Sequence, residues 1–392
     1  MAEIYMAPQQ YDHIILPKAT LKRFADSKTK KIKYLDLSDP EKITIRERFP
    51  HSFHTEPNYY TPEYDAVTKK YETKLGEYYK RITVACEREG EPAIDAQKLK
   101  TDILDIVNIQ YQRTVMADDD LLRKLLEKIK GDYKKTSLHY LRQGIYPPEF
   151  LKNKQKFDEA CKDIYTARRY VQRIVLKQKN PNILKQYGNF VPHILIIPNT
   201  ISSTFILSPQ HFVPISDSVR IVLSPRTALA LYPVPLSQNG GLIKHLTKDE
   251  VDILAPRTIE SALSMVKSFR QVVGEECYLN YIKSKLETYR ALICDLSDDI
   301  IQVKGAAITL SDDQSFLELA ISIQLFRPNC HKVIIDLSTI SSQYLQKCEF
   351  EDSVQMFERW EFNLVFVNDC ALDCSNIKIK SAQDTEEAIT MF

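Results

Sequence analysis

The chain has 392 residues, of which 44% are hydrophobic and 27% are charged, and its formal net charge is +1. This length suits two or three domains, and the composition is that of an ordinary globular protein. No apolar run reaches the roughly 18 residues that cross a bilayer, the N-terminal segment lacks a secretory signal, and the eight cysteines form no C-x2-C pair. We therefore expect a cytoplasmic protein with reduced thiols and no membrane contact.

Charge is divided unequally along the chain. Residues 1–190 carry 36 Lys and Arg against 27 Asp and Glu, a net charge of +9. Residues 191–392 carry 17 against 25, a net charge of −8. Such a division indicates one half that faces a polyanion and another that avoids it, although two domains with different solvated surfaces would give the same numbers.

The first half predicts a strand followed by a helical bundle. Polar and apolar residues alternate over 31–37, as in a half-buried strand. The segment Thr61-Pro62-Glu63 is a strong helix start, and apolar residues follow it at steps of three and four. Asp95 and Asp118 predict the starts of two further helices, and a fourth follows the turn at Pro147-Pro148.

The middle of the chain changes character at about residue 190. Short β-branched runs bounded by prolines predict strands at 193–198, 203–208 and 219–224. A helix is expected from Asp249 to Val273.

Strands and helices alternate from about residue 275, which is typical of a small α/β domain. The predicted fold class is therefore α+β: a domain at 1–274 with a large helical bundle and a small sheet, followed by an acidic α/β domain at 275–392 with a net charge of −10. The sheet of the second domain is predicted to contain residues 291–294, 300–303, 333–337 and 364–367.

Several enzyme classes lack their sequence signatures. The chain has only nine glycines and contains no G-x-G-x-x-G or Walker phosphate loop, both of which bring backbone N–H groups onto phosphate. It also has no G-x-S-x-G elbow, H-E-x-x-H helix, kinase signature or zinc-finger spacing.

The block from Tyr11 to Phe24 has the spacing H-x3-P-x3-L-x2-F. It resembles the start of the bacterial family filed as "domain of unknown function 4238", and the likeness extends to about residue 270. Further similar segments are Tyr71-Glu72, the helix that carries Arg113, Ser216-Asp217 and Ser224-Pro225. The family has no settled activity, so the resemblance implies a layout and candidate residues.

Those family-like segments contribute His13, Glu72, Arg113 and Asp217, which we predict to converge in one cleft as catalytic residues. Phosphodiester chemistry uses carboxylates to hold Mg²⁺, a histidine to move a proton and an arginine to neutralise phosphate. The structural alternative is that His13 bonds a backbone carbonyl, Glu72 and Arg113 form an interhelical ion pair, and Asp217 caps a turn.

The segment 151–190 holds ten Lys and Arg against three Asp and Glu. A row of cations with an aromatic residue is typical of phosphate-backbone binding with base stacking. The candidate nucleic-acid-binding residues are Arg168, Arg169, Tyr170, Arg173 and Lys177. A solvated helix face is the alternative interpretation.

A second, fainter resemblance concerns the C-terminal domain. Residues 333–345 and 384–389 are similar to the strand, serine-bearing turn and final helix of the sulfate-transporter and anti-sigma-antagonist fold. In that fold a serine of the turn is phosphorylatable, which here would be Ser341 or Ser342.

The function predicted from these observations is a bacterial, nucleic-acid-directed protein that acts on DNA or RNA. The combination of acid, base and guanidinium in the candidate cleft further predicts a phosphodiester-cleaving effector, and the family resemblance implies a setting in phage defence. Two other classes stay open. One is a non-catalytic scaffold that contacts a polyanion or a partner through the basic helical bundle and a protein partner or a second copy through residues 275–392. The other is a small-molecule or nucleotide sensor that uses the α/β domain.

Overall fold

The computed structural model describes residues 11–39, 41–57, 59–88, 90, 92–119, 122–123, 163–175, 181–210, 212–215, 218–236, 241–297, 299–304, 313–336 and 362–367. The fold is mixed α+β, which confirms the predicted class. In chain order its elements are β1 (Tyr11–His13), α1 (Lys18–Arg23), β2 (Ile32–Asp36), β3 (Thr44–Arg48), β4 (Thr55–Pro57), α2 (Pro62–Glu87), α3 (Ala96–Ala117), α4 (Ile164–Val175), α5 (Pro181–Tyr187), β5 (Val191–Ile196), β6 (Phe212–Ile215), β7 (Ser218–Ser224), β8 (Thr227–Tyr232), β9 (Ile243–His245), α6 (Lys248–Leu263), β10 (Gln271–Gly274), α7 (Glu276–Leu292), β11 (Ile293–Ser297), β12 (Ile300–Lys304), α8 (Asp313–Phe326), β13 (Lys332–Asp336) and β14 (Asn363–Val367).

The long helices begin where the sequence predicts. The Thr61 side chain accepts a hydrogen bond from the backbone N–H of Tyr64, and Pro62 occupies the first turn of α2. The Asp95 side chain accepts from the N–H of Lys98 at the start of α3. These caps satisfy N–H groups that a helix start leaves without internal partners, so local sequence is enough to place both starts.

A three-stranded antiparallel sheet, in the order β10-β2-β3, joins the chain's beginning to residues 271–274. The predicted helix from Asp249 to Val273 is therefore wrong at its end. Helix α6 stops at Leu263, and Val272 and Val273 are fully buried in strand β10 beside β2. Pairing with a strand more than 200 residues earlier outweighs the helical pattern of the preceding segment.

The central sheet has five strands in the order β6-β7-β8-β5-β9. Its alternating side chains divide between two cores. Val219, Ile221 and Leu223 pack with residues of α2 and α3, whereas Val222 and Ala230 pack in the cluster that contains α6. The predicted strand at 203–208 is wrong, because only Leu207 in this segment forms a bridge, to Val273.

A four-stranded sheet, β11-β12-β13-β14, contains the C-terminal strands that the structure describes. Strands β12, β13 and β14 are parallel and β11 is antiparallel, which confirms the predicted strands at 300–303 and 364–367. The strand predicted at 291–294 begins only at Ile293, because α7 continues through Leu292. The predicted elements at 341–360 and 377–389 lie outside the described residues, as does the proposed serine-bearing turn.

One hydrophobic core crosses the predicted domain boundary at residues 274 and 275. It contains Leu35 and Val273 from the first predicted domain together with Leu279, Ile301 and Phe316 from the second. The division into two domains stays a prediction, and the shared core argues that the two parts stabilise one another. Among the helices that the structure describes, none is both long and apolar enough to cross a membrane.

We predict opposite effects of alanine at two glycines. A Cβ atom at Gly274 would lie 2.9 Å from Ile206 Cγ2 and 2.9 Å from Leu279 Cδ2, both in the core, so Gly274→Ala should lower the free energy of unfolding by about 1–3 kcal/mol. A Cβ at Gly76, within α2, has no neighbour nearer than 3.8 Å, so Gly76→Ala should stabilise by about 0.5–1 kcal/mol. Urea unfolding measures the change in the free energy of unfolding for both variants. Equal changes in the two variants would contradict the close packing around Gly274.

Candidate functional site

Arg113 lies at the centre of a buried polar group that we call the Arg113 cluster: Arg113, Glu72, Tyr60, Gln110 and the carbonyl of His13. Only 2% of Arg113 is exposed. Its Nη2 lies 3.0 Å from the Glu72 carboxylate and donates to the His13 carbonyl at 3.1 Å. Its Nε donates to the Tyr60 hydroxyl at 2.8 Å. The cluster therefore joins β1, α2 and α3.

The remaining bonds complete the cluster. With its amide oriented to match its surroundings, Gln110 accepts from Arg113 Nη1 at 3.2 Å and donates to the Ile15 carbonyl at 3.2 Å. The Tyr60 hydroxyl donates to the Ile14 carbonyl. Every nitrogen of the Arg113 guanidinium thus has an acceptor inside the protein, which is what a buried cation requires.

Electrostatics keep the charges of the cluster constant at neutral pH. Burial alone would lower the pKa of Arg113, but Tyr60 and the Glu72 carboxylate raise it above its usual value. Burial raises the pKa of Tyr60 to about 12, so its hydroxyl stays protonated. The cluster therefore contains a permanent cation that is already neutralised by Glu72.

His13 enters this arrangement through its backbone and not through its imidazole. Burial, followed by the charge of Arg113, lowers the pKa of His13 to about 4, so the ring is neutral at pH 7. Its Nδ1 has no hydrogen-bond partner among the residues that the structure describes. The structure thus brings Glu72, Arg113 and the His13 carbonyl together, while Asp217 lies outside the described residues.

No metal site accompanies the cluster in the described ranges. Within them, no group of three or more His, Cys, Asp or Glu side chains is arranged to hold an ion. The catalytic roles predicted for His13, Glu72, Arg113 and Asp217, and the Mg²⁺ predicted with them, stay predictions.

Arg168 is not part of a solvent-facing row of cations. It is only 8% exposed, and its Nε donates to the Met116 carbonyl at 3.1 Å. Its guanidinium pairs with Asp119 and lies 4.7 Å from the centre of the Tyr59 ring. Helix α4 packs against the segment before α2, and this packing turns Arg168 inward.

The other predicted nucleic-acid-binding residues differ from Arg168. Arg169 is partly exposed and donates to the Tyr165 hydroxyl at 2.8 Å on its own helix. Tyr170 and Arg173 lie within α4 by their backbones, and Lys177 lies outside the described residues. Their role in binding nucleic acid stays a prediction.

A large open cleft that sequence analysis missed lies between α2, the β7–β8 turn, β9 and the segment after β5. Its volume is about 930 Å³. We call it the Arg23–Arg226 cleft; polar residues in its lining include Arg23, Tyr79, Arg226, His245 and Glu275. The only sequence signal was the family-like Ser224-Pro225 segment, which immediately precedes Arg226.

The two arginines of the cleft are fixed in place by backbone carbonyls. Arg23 Nη1 donates to the Leu223 carbonyl at 3.1 Å, and its Cζ lies 4.1 Å from the centre of the Tyr79 ring. Arg226 Nη1 donates to two carbonyls, those of Pro198 and Ile201, both at 3.0 Å. Burial lowers the pKa of Arg23, which shows that its charge is partly desolvated.

Neither arginine forms an ion pair with the residues that the structure describes. Across the described part of the chain, no carboxylate lies within 4.0 Å of Arg23 or Arg226, and Nε and Nη2 of both have no hydrogen-bond acceptor. A positive charge held rigidly with unused N–H groups is suited to a phosphate or carboxylate.

Comparisons with known proteins identify no relative. No family model, no curated protein and no solved structure matched the chain. The resemblances described from the sequence therefore stay predictions, and the geometry of the described residues is the basis for the functional proposal.

We predict that Arg113→Met destabilises the fold strongly. It would leave the Glu72 carboxylate without its cation and Tyr60 without its donor, so the free energy of unfolding should fall by about 3–5 kcal/mol. The control is Lys69→Met, which removes an exposed ion pair with Asp65 and should cost less than about 0.5 kcal/mol. A loss at Arg113 as small as that of the control, measured by urea unfolding, would show that the cluster is not structural.

We also predict that stability falls on mild acidification. The pKa values of His13 and His54 are lowered to about 4, in both cases mainly by burial, whereas the unfolded chain has histidine pKa values near about 6.5. The unfolded state therefore binds more protons below pH 6.5. Stability is fully present above that pH and is lost as the pH falls toward 4.

Between pH 7 and pH 5 each buried histidine should contribute a loss on the order of 2 kcal/mol. Urea unfolding across this interval measures it, above the range where most carboxylates titrate. His54→Gln should reduce the pH dependence, because it removes a buried imidazole. A pH dependence that this variant retains in full would refute the assignment to His54.

Proposed function

We propose that the chain is a nucleic-acid-binding protein that holds a short single-stranded segment in the Arg23–Arg226 cleft. The observation that carries the proposal is the pair of arginines with unused N–H groups in a cleft of about 930 Å³. Their guanidinium groups would contact phosphate oxygens, which are the strongest acceptors that nucleic acid offers.

The size of the cleft favours a single strand. Ligand sites in proteins commonly have volumes of about 300–1,000 Å³, and a cleft of this size takes about one or two nucleotides. A duplex would meet only the rim, because its phosphates lie on a stiff and wide helix. The excess of positive charge over residues 1–190, net +9, favours association with the same class of partner.

The proposal is for binding rather than for cleavage at the Arg113 cluster. The guanidinium of Arg113 bonds to Tyr60, Glu72, Gln110 and the His13 carbonyl, so none of its nitrogens is left for a phosphate. Phosphodiester cleavage rests on the residue types predicted to converge there, and a role in phage defence rests on the family resemblance. A protein partner or a second copy on residues 275–392 fits their net charge of −10, which repels phosphate.

Binding to a fluorescent single-stranded oligonucleotide, followed by anisotropy over a range of salt concentrations, tests the proposal. The Arg23→Gln/Arg226→Gln variant should bind more weakly at every salt concentration. Because two phosphate contacts are lost, the slope of the logarithm of the binding constant against the logarithm of the salt concentration should become less negative by about 1.4.

The matched control is Arg81→Gln, which removes an exposed arginine of α2 that does not line the cleft. It should retain the affinity and the slope of the unaltered protein. Equal affinity of all three proteins, or no binding by the unaltered protein, would overturn the proposal. Unchanged thermal stability of the double variant, measured in parallel, separates loss of binding from loss of folding.

A further inference from the structure

Arg220, on strand β7, is a buried cation with no counter-charge among the residues that the structure describes. It is only 1% exposed, and its Cζ lies 5.7 Å from the centre of the Phe205 ring. Its Nη2 donates to Thr258 Oγ1 at 2.6 Å and to the Leu254 carbonyl at 3.3 Å, both on α6. Its Nε and Nη1 have no acceptor among the described residues, and no carboxylate there lies within 4.0 Å.

Arg220 differs in this respect from Arg113. The Arg113 guanidinium has an acceptor for each nitrogen and a carboxylate partner, whereas that of Arg220 leaves three N–H bonds unpaired. Leaving a buried charge unpaired costs several kcal/mol, and each unmade bond adds to that cost. Burial lowers the pKa of Arg220 to about 10, so the group is still a cation at neutral pH.

A second unsatisfied polar group belongs to the same row of the sheet. Arg220 pairs with Ala230 on β8, and Ala230 pairs with His193 on β5, so the three residues face the α6 side in register. His193 is buried; its Nε2 accepts from the Leu236 N–H at 3.3 Å, and its Nδ1 has no partner among the described residues.

We infer that Arg220 is the centre of a buried anion site, between the five-stranded sheet and α6, that binds a small oxyanion such as a phosphate or a carboxylate group. The site is independent of the Arg23–Arg226 cleft, which opens on the side of the sheet that faces α2. Three unused N–H bonds on Arg220 match the several lone pairs of an oxyanion. The anion supplies both the missing charge and the missing acceptors.

The fold favours a small ligand at this position. Phe205 and the Thr258 turn of α6 cover the guanidinium, and the neighbouring strand presents Ala228, Ala230 and Tyr232 on this face. A nucleic-acid strand would be too large for a site with so little exposure. A free anion, or the acidic end of a small metabolite, would fit.

The test is the thermal stability of the full chain in a buffer without oxyanions, titrated in separate experiments with sodium phosphate and with sodium acetate. Sodium chloride at equal ionic strength is the control for screening. We expect the Tm to rise with saturation in phosphate, in acetate or in both, because a ligand that binds only the folded state stabilises it. The titration whose Tm rise reaches half of its maximum at the lower anion concentration identifies the preferred oxyanion.

Three variants test whether the effect arises at Arg220. Arg220→Met should abolish the saturable rise, and without oxyanion it should be at least as stable as the unaltered protein, because an unpaired charge is replaced by an apolar side chain. Arg220→Lys keeps the charge but loses donors, so it should move the midpoint to higher concentration; it also serves if the Met variant does not fold. Arg23→Gln/Arg226→Gln should retain the rise, since the cleft is a different site.

Three results would overturn the inference. One is a Tm that responds to phosphate and acetate no more than to chloride. Another is a rise that survives Arg220→Met but disappears in Arg23→Gln/Arg226→Gln, which would place the anion in the cleft. The last is a double-mutant cycle in which Asp217→Asn and Arg220→Met each destabilise and their combination costs no more than either alone, which would make Asp217 the counter-charge.

Discussion

The burial of the Arg113 guanidinium is the constraint on which the first part of the structure depends. A buried cation is tolerated only when its charge and all its donors have partners. Here those partners come from places far apart in sequence: Tyr60 is 53 residues away and the His13 carbonyl is 100 residues away. Satisfying one side chain therefore fixes how β1, the segment before α2, and the two long helices meet.

The same principle extends from the Arg113 cluster to α4. Gln172 accepts from the N–H of Thr61 at 2.7 Å and donates to the Tyr59 carbonyl at 3.0 Å, both in the segment that precedes α2. Arg168 donates to Met116, at the end of α3. Polar bonds to the backbone are directional, so they define the docking of α4 more narrowly than apolar packing alone would.

The arginines of this protein show how polar satisfaction separates structure from function. Arg113 is completely paired, so every nitrogen of its guanidinium group is bonded within the fold. Arg23 and Arg226 are each anchored by one nitrogen, and their other nitrogens have no acceptor among the described residues. Arg220 is buried, and two of its nitrogens have no acceptor in the described part of the chain, which is the least favourable of the three situations. Residue type alone does not distinguish these cases.

Local interactions explain what the sequence determined by itself. The starts of α2 and α3 follow from Thr61 and Asp95, because a cap is formed by residues three positions apart. The strand pattern of β2 and the alternation of strands and helices after residue 292 also follow from short-range periodicity. The meeting of Glu72 and Arg113 was predicted differently, from the family-like segments that carry the two residues and not from short-range periodicity.

Only the tertiary structure decided the features that depend on distant partners. Residues 271–274 form strand β10 because they pair with β2. Residues 203–208 do not form a strand because only Leu207 makes a bridge, to Val273. Likewise, His13 contributes its carbonyl rather than its ring, and Arg168 turns inward. Bonds between groups about 50 to 240 residues apart set each of these outcomes, and no short window of sequence contains both partners.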